Sequence, residues 1–283
     1  MEDLKAYCSP GAVYKDRMVN VDVGIDLHVI TFTPARDLGN PPVLFVAGWI
    51  SQISGWKTVL KEMTKDFPVH YVETREKTSS RIAGKADYGV TPVGEDIAKI
   101  VERLDLPPRR FVMFGSSLGA TAIVDCYQSL KRKPLALALI SPNATFRVPR
   151  IWMVIVTLFY PPLYALIRPP VKWYLKNFRL DVKVDHEQYA KYCDAIDAAD
   201  PWKLRKAVLA VSKYQIWDRL EFVDVPVLLV GATKDVLHEP ENLAEISRRI
   251  RKIETIDMGT NKATHSERVV EEMRSFLQRL SAL

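Results

Sequence analysis

The chain has 283 residues, of which 48% are hydrophobic, and it carries a formal net charge of +6. That length suits one large α/β domain with an insertion or two small domains, and the apolar fraction supports a sizeable core. The basic residues are scattered and no RNA- or DNA-binding motif is present, so no nucleic-acid partner is expected; the positive excess would suit an anionic membrane surface, although a mildly basic solvated surface is the simpler account.

In chain order, residues 27–32 alternate as a strand does. Residues 43–46, behind Pro41-Pro42, form a short apolar run bounded by turn residues, the pattern of a buried strand. Residues 56–67 have helical spacing and 69–72 read as a strand. A helix over 92–104 places Val93, Ile97, Ile100, Val101 and Leu104 on one face. The run 111–114 predicts another strand, followed by a helix from Ser117 to about Leu130. Strand signals recur at 135–140, 225–230 and 253–256. Helical signals recur at 243–250 and at 267–280, where Val269, Val270, Met273, Phe276, Leu277 and Leu280 form the apolar stripe. Strands alternating with helices predict an α/β fold, a mostly parallel sheet flanked by helices. Residues 1–142 and 216–283 form the core in this reading. Residues 143–215, which carry no clear strand, form a helical insertion over one end of the sheet.

The strongest chemical signal is Gly115-Ser116-Ser117-Leu118-Gly119, a G-x-S-x-G pattern. An ordinary strand-to-helix loop could carry the same residues. The apolar strand before it and the helix after it favour a nucleophile turn, with glycines where backbones crowd and Ser117 at the apex near the positive end of the helix. Ser116 occupies the variable position and is not expected to react. A serine hydroxyl needs a base to take its proton. The base and its acid are expected downstream in the order acid, then histidine. Asp235 lies at the carboxyl end of the strand over 225–230, where open α/β sheets bind ligands. His265 follows the last strand and precedes the final helix. Of the other histidines, His28 and His70 come before the turn, His186 lies in the insertion, and His238 is only three residues past Asp235.

The elbow Gly-Ser-Ser-Leu-Gly, the turn Val230-Gly231-Ala232-Thr233-Lys234-Asp235 and the Thr264-His265-Ser266-Glu267 start of the last helix together resemble the α/β-hydrolase superfamily, over essentially the whole chain except the insertion. The resemblance implies an esterase- or lipase-like serine hydrolase, with Ser117 as nucleophile, His265 as base and Asp235 orienting the base. It implies an oxyanion hole from the backbone N–H groups of Leu118 and Trp49, the latter in Ala47-Gly48-Trp49 after the strand over 43–46. Ala47 stands where the family commonly has histidine. The resemblance also makes the insertion a cap that shapes the substrate pocket. Glu73-Thr74-Arg75-Glu76 matches a family turn in part, with Glu76 in place of glycine. Glu73 and Arg75 are expected to fix that loop rather than to bind substrate.

The insertion carries an apolar stretch over 151–160, broken by Pro161-Pro162 and resumed over 163–167, with Arg147, Arg150, Arg168 and Lys172 around it. It is too short before the prolines to span a membrane. The first expectation is a hydrophobic acyl pocket lined by Ile151, Ile155 and Phe159. The second is a peripheral membrane contact through the same segment. The expected function is cleavage of a carboxylic ester of a hydrophobic acyl substrate, a small molecule or lipid, through an acyl-enzyme, with no metal or organic cofactor. A thioesterase, a C–C bond hydrolase or an acyltransferase would use the same triad, and a non-catalytic binding module is the alternative from another class. Cys8, Cys126 and Cys193 are far apart and odd in number, giving neither a metal-ligand spacing nor a disulfide framework. With no basic and then apolar N-terminal stretch, a cytoplasmic location is expected, with membrane association as the variant of it.

Overall fold

The computed structural model describes residues 4–146, 148–158, 160–180, 182, 186–235 and 240–282. Nine strands among these form one sheet: β1 (Val13–Asp22), β2 (Ile25–Thr33), β3 (Val43–Val46), β4 (Val69–Glu73), β5 (Arg81–Ile82), β6 (Val112–Ser116), β7 (Ala136–Ile140), β8 (Val227–Gly231) and β9 (Ile253–Asp257). Their order is β1-β2-β4-β3-β6-β7-β8-β9, with β5 pairing β2. The pairs β1/β2 and β2/β4 are antiparallel, and every pair from β4/β3 to β8/β9 is parallel.

Burial explains which strands the apolar pattern reveals. Every residue of β3, β6, β7 and β8 is buried, as expected for parallel strands covered on both faces. Side chains alternate between two cores. Leu44 and Val46 pack toward α2 (Val90–Arg103), α3 (Leu118–Tyr127) and α8 (Pro240–Arg249). Val43 and Phe45 pack toward α1 (Lys57–Met63) and α10 (Glu267–Ser281). Strand β1 escaped the sequence reading because its outer half is exposed and charged, as an edge strand should be. The helix expected over 56–67 is instead a 3₁₀ turn at Ile53–Trp56 followed by the short α1.

Arg75 and Glu73 are not partners of each other. Arg75 makes a two-pronged ion pair with Asp96 of α2, with both N···O distances 2.7 Å, and donates to the Asp87 and Pro92 carbonyls. Glu73 sits 3.7 Å from Lys77 instead. The loop after β4 is therefore fixed to the middle of α2 by a buried charge pair, and to the start of that helix through the two carbonyls.

The chain leaves the sheet after β7 and returns at β8. Between them lie α4 (Arg150–Leu158), α5 (Tyr164–Tyr174), α6 (His186–Ala198) and α7 (Pro201–Val211). A bridge between Thr145 and Gln215, together with the Ile216 N–H donating to the Ala144 carbonyl at 3.0 Å, ties the two ends of this insertion.

Candidate active site

Strand β6 turns into α3 at Ser117, which holds φ 50° and ψ −119°. A serine in that region stores roughly 1–3 kcal/mol of backbone strain and persists only where its surroundings enforce it. Both flanking glycines are demanded by close approach. A Cβ on Gly115 would lie 2.6 Å from Ile123 Cδ1 and 2.7 Å from Ala120 Cα, and one on Gly119 only 2.2 Å from the Val46 carbonyl oxygen. The turn is pinned by the Ser117 N–H donating to the Ile140 carbonyl at 2.8 Å. Leu118 opens α3, so its N–H belongs to the first turn, where N–H groups have no helical acceptor and the dipole favours negative charge.

Ser117 Oγ accepts a hydrogen bond from Asn143 Nδ2 at 2.9 Å. Asn143 is itself clamped: its N–H donates to Thr121 Oγ1, and its carbonyl accepts from the same hydroxyl. An amide donor on Oγ leaves the hydroxyl proton to be given to a base. Nothing in the sequence pattern singled out Asn143; it lies 26 positions downstream, and only the parallel pairing of β6 with β7 brings it to the turn.

His265 follows α9 (Asn261–Thr264), and its ring packs on Trp56 with centroids 4.1 Å apart. Its Nδ1 lies 3.0 Å from the Asn261 carbonyl oxygen and 3.0 Å from Thr264 Oγ1. A carbonyl only accepts, so a hydrogen bond there puts the proton on Nδ1 and the lone pair on Nε2. Asp235 is 3% exposed, and its Oδ2 accepts from Asn261 Nδ2 at 2.7 Å. Asn261 therefore contacts both expected partners, the acid through its side chain and the histidine through its backbone. The Lys234 N–H donating to the Gly259 carbonyl holds the loops after β8 and β9 together. Tyr192 of α6 adds a phenol whose pKa is pushed up by burial and by the Asp235 carboxylate.

Ser117, His265, Asn261, Trp49 and Ile155 line one cavity of about 400 Å³. Its roof is apolar: Trp152, Ile155 and Val156 of α4, Ile167 and Val171 of α5, and Leu204 and Val208 of α7. Ile50 (φ 48°) and Ser141 (φ 46°) also line it, so three backbone positions outside the usual region for side-chain-bearing residues ring one space. Among the described residues, Trp49 Nε1 and Ser141 Oγ are buried with no hydrogen-bond partner. A second, polar groove lined by Lys57, Asp194 and Lys262 meets the first at Lys191, Asn261 and His265.

Not every expected site residue reaches the cavity. Ile151 is 68% exposed and turned outward, because α4 begins at Arg150 and its inner stripe runs through Trp152, Ile155 and Val156. Trp152 takes the place expected of Ile151. Phe159 lies outside the described residues, as does His238. Among the described residues no group of three or more His, Cys, Asp or Glu side chains is arranged to hold a metal ion.

No protein-family model matches the chain, and no curated protein matches it. Solved structures do. An enol-lactonase from Burkholderia xenovorans LB400 is 18% identical, with a TM-score of 0.75 over 93% of this chain and 100% of that one. A thermophilic esterase from Thermogutta terrifontis is 19% identical, with a TM-score of 0.72 over 94% and 99%. An esterase from Rhodococcus sp. ECU1013 is 15% identical, with a TM-score of 0.72 over 94% and 99%. The chain has the α/β-hydrolase fold.

Proposed function

We propose that the chain is a serine hydrolase that cleaves a carboxylic ester of a hydrophobic acyl substrate. The observation that carries this reading is a strained Ser117 on the floor of an apolar cavity that His265 also lines. In the proposed reaction Ser117 Oγ attacks the carbonyl while His265 Nε2 takes its proton. His265 then gives that proton to the leaving alcohol, and water repeats the cycle to free the acid. The Asn261 carbonyl keeps the imidazole in the tautomer this requires. Asp235, behind Asn261, supplies the negative charge that stabilises the imidazolium. The Trp49 and Leu118 N–H groups receive the developing oxyanion. The acyl chain occupies the apolar cavity, and a polar leaving group departs along the groove that meets it at His265.

Hydrolysis of p-nitrophenyl esters tests the reading. Each buried methylene is worth about 0.8 kcal/mol, so kcat/KM should rise roughly tenfold or more from acetate to butyrate. Ile155→Asp should flatten that preference and the outward Ile151→Asp should not. Ser117→Ala and His265→Ala should each lower kcat by several orders of magnitude, with the double variant little worse. A Ser117→Ala protein with near-wild-type esterase activity would end the proposal.

A further inference from the structure

Two of the helices that roof the cavity, α4 and α5, carry apolar residues on their outer sides as well as their inner ones. On α4, Trp152, Ile155 and Val156 face the cavity while Ile151, Val154 and Leu158 face out, Leu158 being 80% exposed. On α5, Ile167, Val171 and Tyr174 face in while Leu166 and Trp173 face out, with Leu163 exposed just before the helix and Phe178 just after it. An amphipathic helix on a protein surface turns polar residues to water; a helix apolar all round normally has a second apolar neighbour. The outer neighbour of α4 and α5 is not part of the described protein. Large exposed apolar side chains concentrated on two consecutive helices suit an interaction surface.

Charge says what kind of neighbour fits. From Arg147 to Arg179 the sequence carries six cations (Arg147, Arg150, Arg168, Lys172, Lys176 and Arg179) and no Asp or Glu. Among the described residues the opposing charge is Asp197 of α6, which pairs with both Arg168 and Lys172 at 3.2 and 2.6 Å and leaves the segment with an excess of positive charge. Two copies joined through this face would bring like charges together. A nonpolar surface fringed by anions would satisfy both the apolar side chains and the cations. Among the described residues no single helix is long and apolar enough to cross a membrane; α4 and the segment 161–178 together have the length and composition for it but are bent by 117° at the break between them. That shape suits lying on a surface rather than spanning it.

We infer that the outer face of α4 and α5 docks on an anionic lipid bilayer, bringing the cavity beneath it to the membrane surface. The inference concerns an interaction surface and stands whether or not Ser117 is catalytic.

Sedimentation with vesicles tests it. The full chain should pellet with mixed phosphatidylcholine–phosphatidylglycerol vesicles and much less with phosphatidylcholine alone. Leu158→Asp and Leu166→Asp, both outward and outside the cavity lining, should abolish pelleting. Lys176→Glu should weaken it at least about fivefold, the share of one basic residue near an anionic surface. Unfolding midpoints equal to wild type would show that these variants are folded. The inference fails if the wild-type chain pellets with neither vesicle, if the two vesicle types bind equally, or if folded variants bind as wild type does. It also fails if light scattering shows a dimer that the Asp variants dissolve, since a second copy would then be the occupant.

Discussion

Replacing Gly119 by alanine probes the turn without touching any group that reacts. The added Cβ would sit 2.2 Å from the Val46 carbonyl oxygen and 2.7 Å from that of Ala47, against an ordinary contact of 3.4 Å or more. One element must therefore retreat by about 1.2 Å, the difference between 3.4 and 2.2. Neither can do so cheaply. Val46 is hydrogen-bonded into β3, which is paired on both sides with β4 and β6, and α3 is packed against the sheet with all ten of its residues buried. Overpacking of this kind costs about 1–3 kcal/mol, which for a chain of this size lowers the unfolding midpoint by roughly 2–4 °C per kcal/mol. The retreat also parts Ser117 from the Gly48-Trp49 loop, which already stands close: a Cβ on Gly48 would meet Ser117 Cβ at 3.2 Å. A misplacement of about 1 Å between catalytic groups can cost on the order of 100-fold in rate. Thermal unfolding and butyrate-ester kinetics on Gly119→Ala should therefore show a lowered midpoint together with a kcat/KM reduced by about that factor. A variant matching wild type in both would refute the idea that this crowding holds the turn.

Two further outcomes follow from buried charge. Arg75→Ala strands the buried Asp96 carboxylate, whose pKa burial pushes up even beside the guanidinium, and should cost about 3–5 kcal/mol in urea unfolding; pairing Arg75→Met with Asp96→Leu should recover much of that loss, and an Arg75→Ala protein of unchanged stability would contradict the role given to the pair. His70, held by Thr31 Oγ1 at 3.0 Å, has its pKa lowered from 6.5 to about 4 by burial and then by the Arg17 charge. The unfolded chain therefore takes up this proton at higher pH than the folded one, and stability should fall as pH drops from 6.5 through about 4. His70→Gln should show a shallower slope across that window, and equal slopes would discount His70.

The parallel strands were legible because burial on both faces writes them as unbroken apolar runs, with β3, β6, β7 and β8 all falling at or near their expected places. The G-x-S-x-G turn was legible for a related reason, since its glycines answer to backbones that approach within van der Waals contact. Asn143 and Asn261 were not legible. Each is an ordinary polar residue until the sheet sets it beside Ser117 or Asp235, 26 positions away in both cases. Helix α5 was hidden for the opposite reason. Pro169 and Pro170 lie inside it, where a sequence reading expects a break, and the structure continues through them into a widened turn at Leu175–Arg179. The outward placement of Ile151 depends on where α4 starts, and helix ends are the least specified feature of an apolar run.

The central claim is that Ser117 is a working nucleophile. A fluorophosphonate probe reacts with an activated serine and leaves a covalent adduct that peptide mass spectrometry can place. The account predicts one rapidly formed adduct on the peptide containing Ser117, abolished in Ser117→Ala and strongly slowed in His265→Ala. An unlabelled wild-type protein, or an adduct that persists in Ser117→Ala, would contradict it.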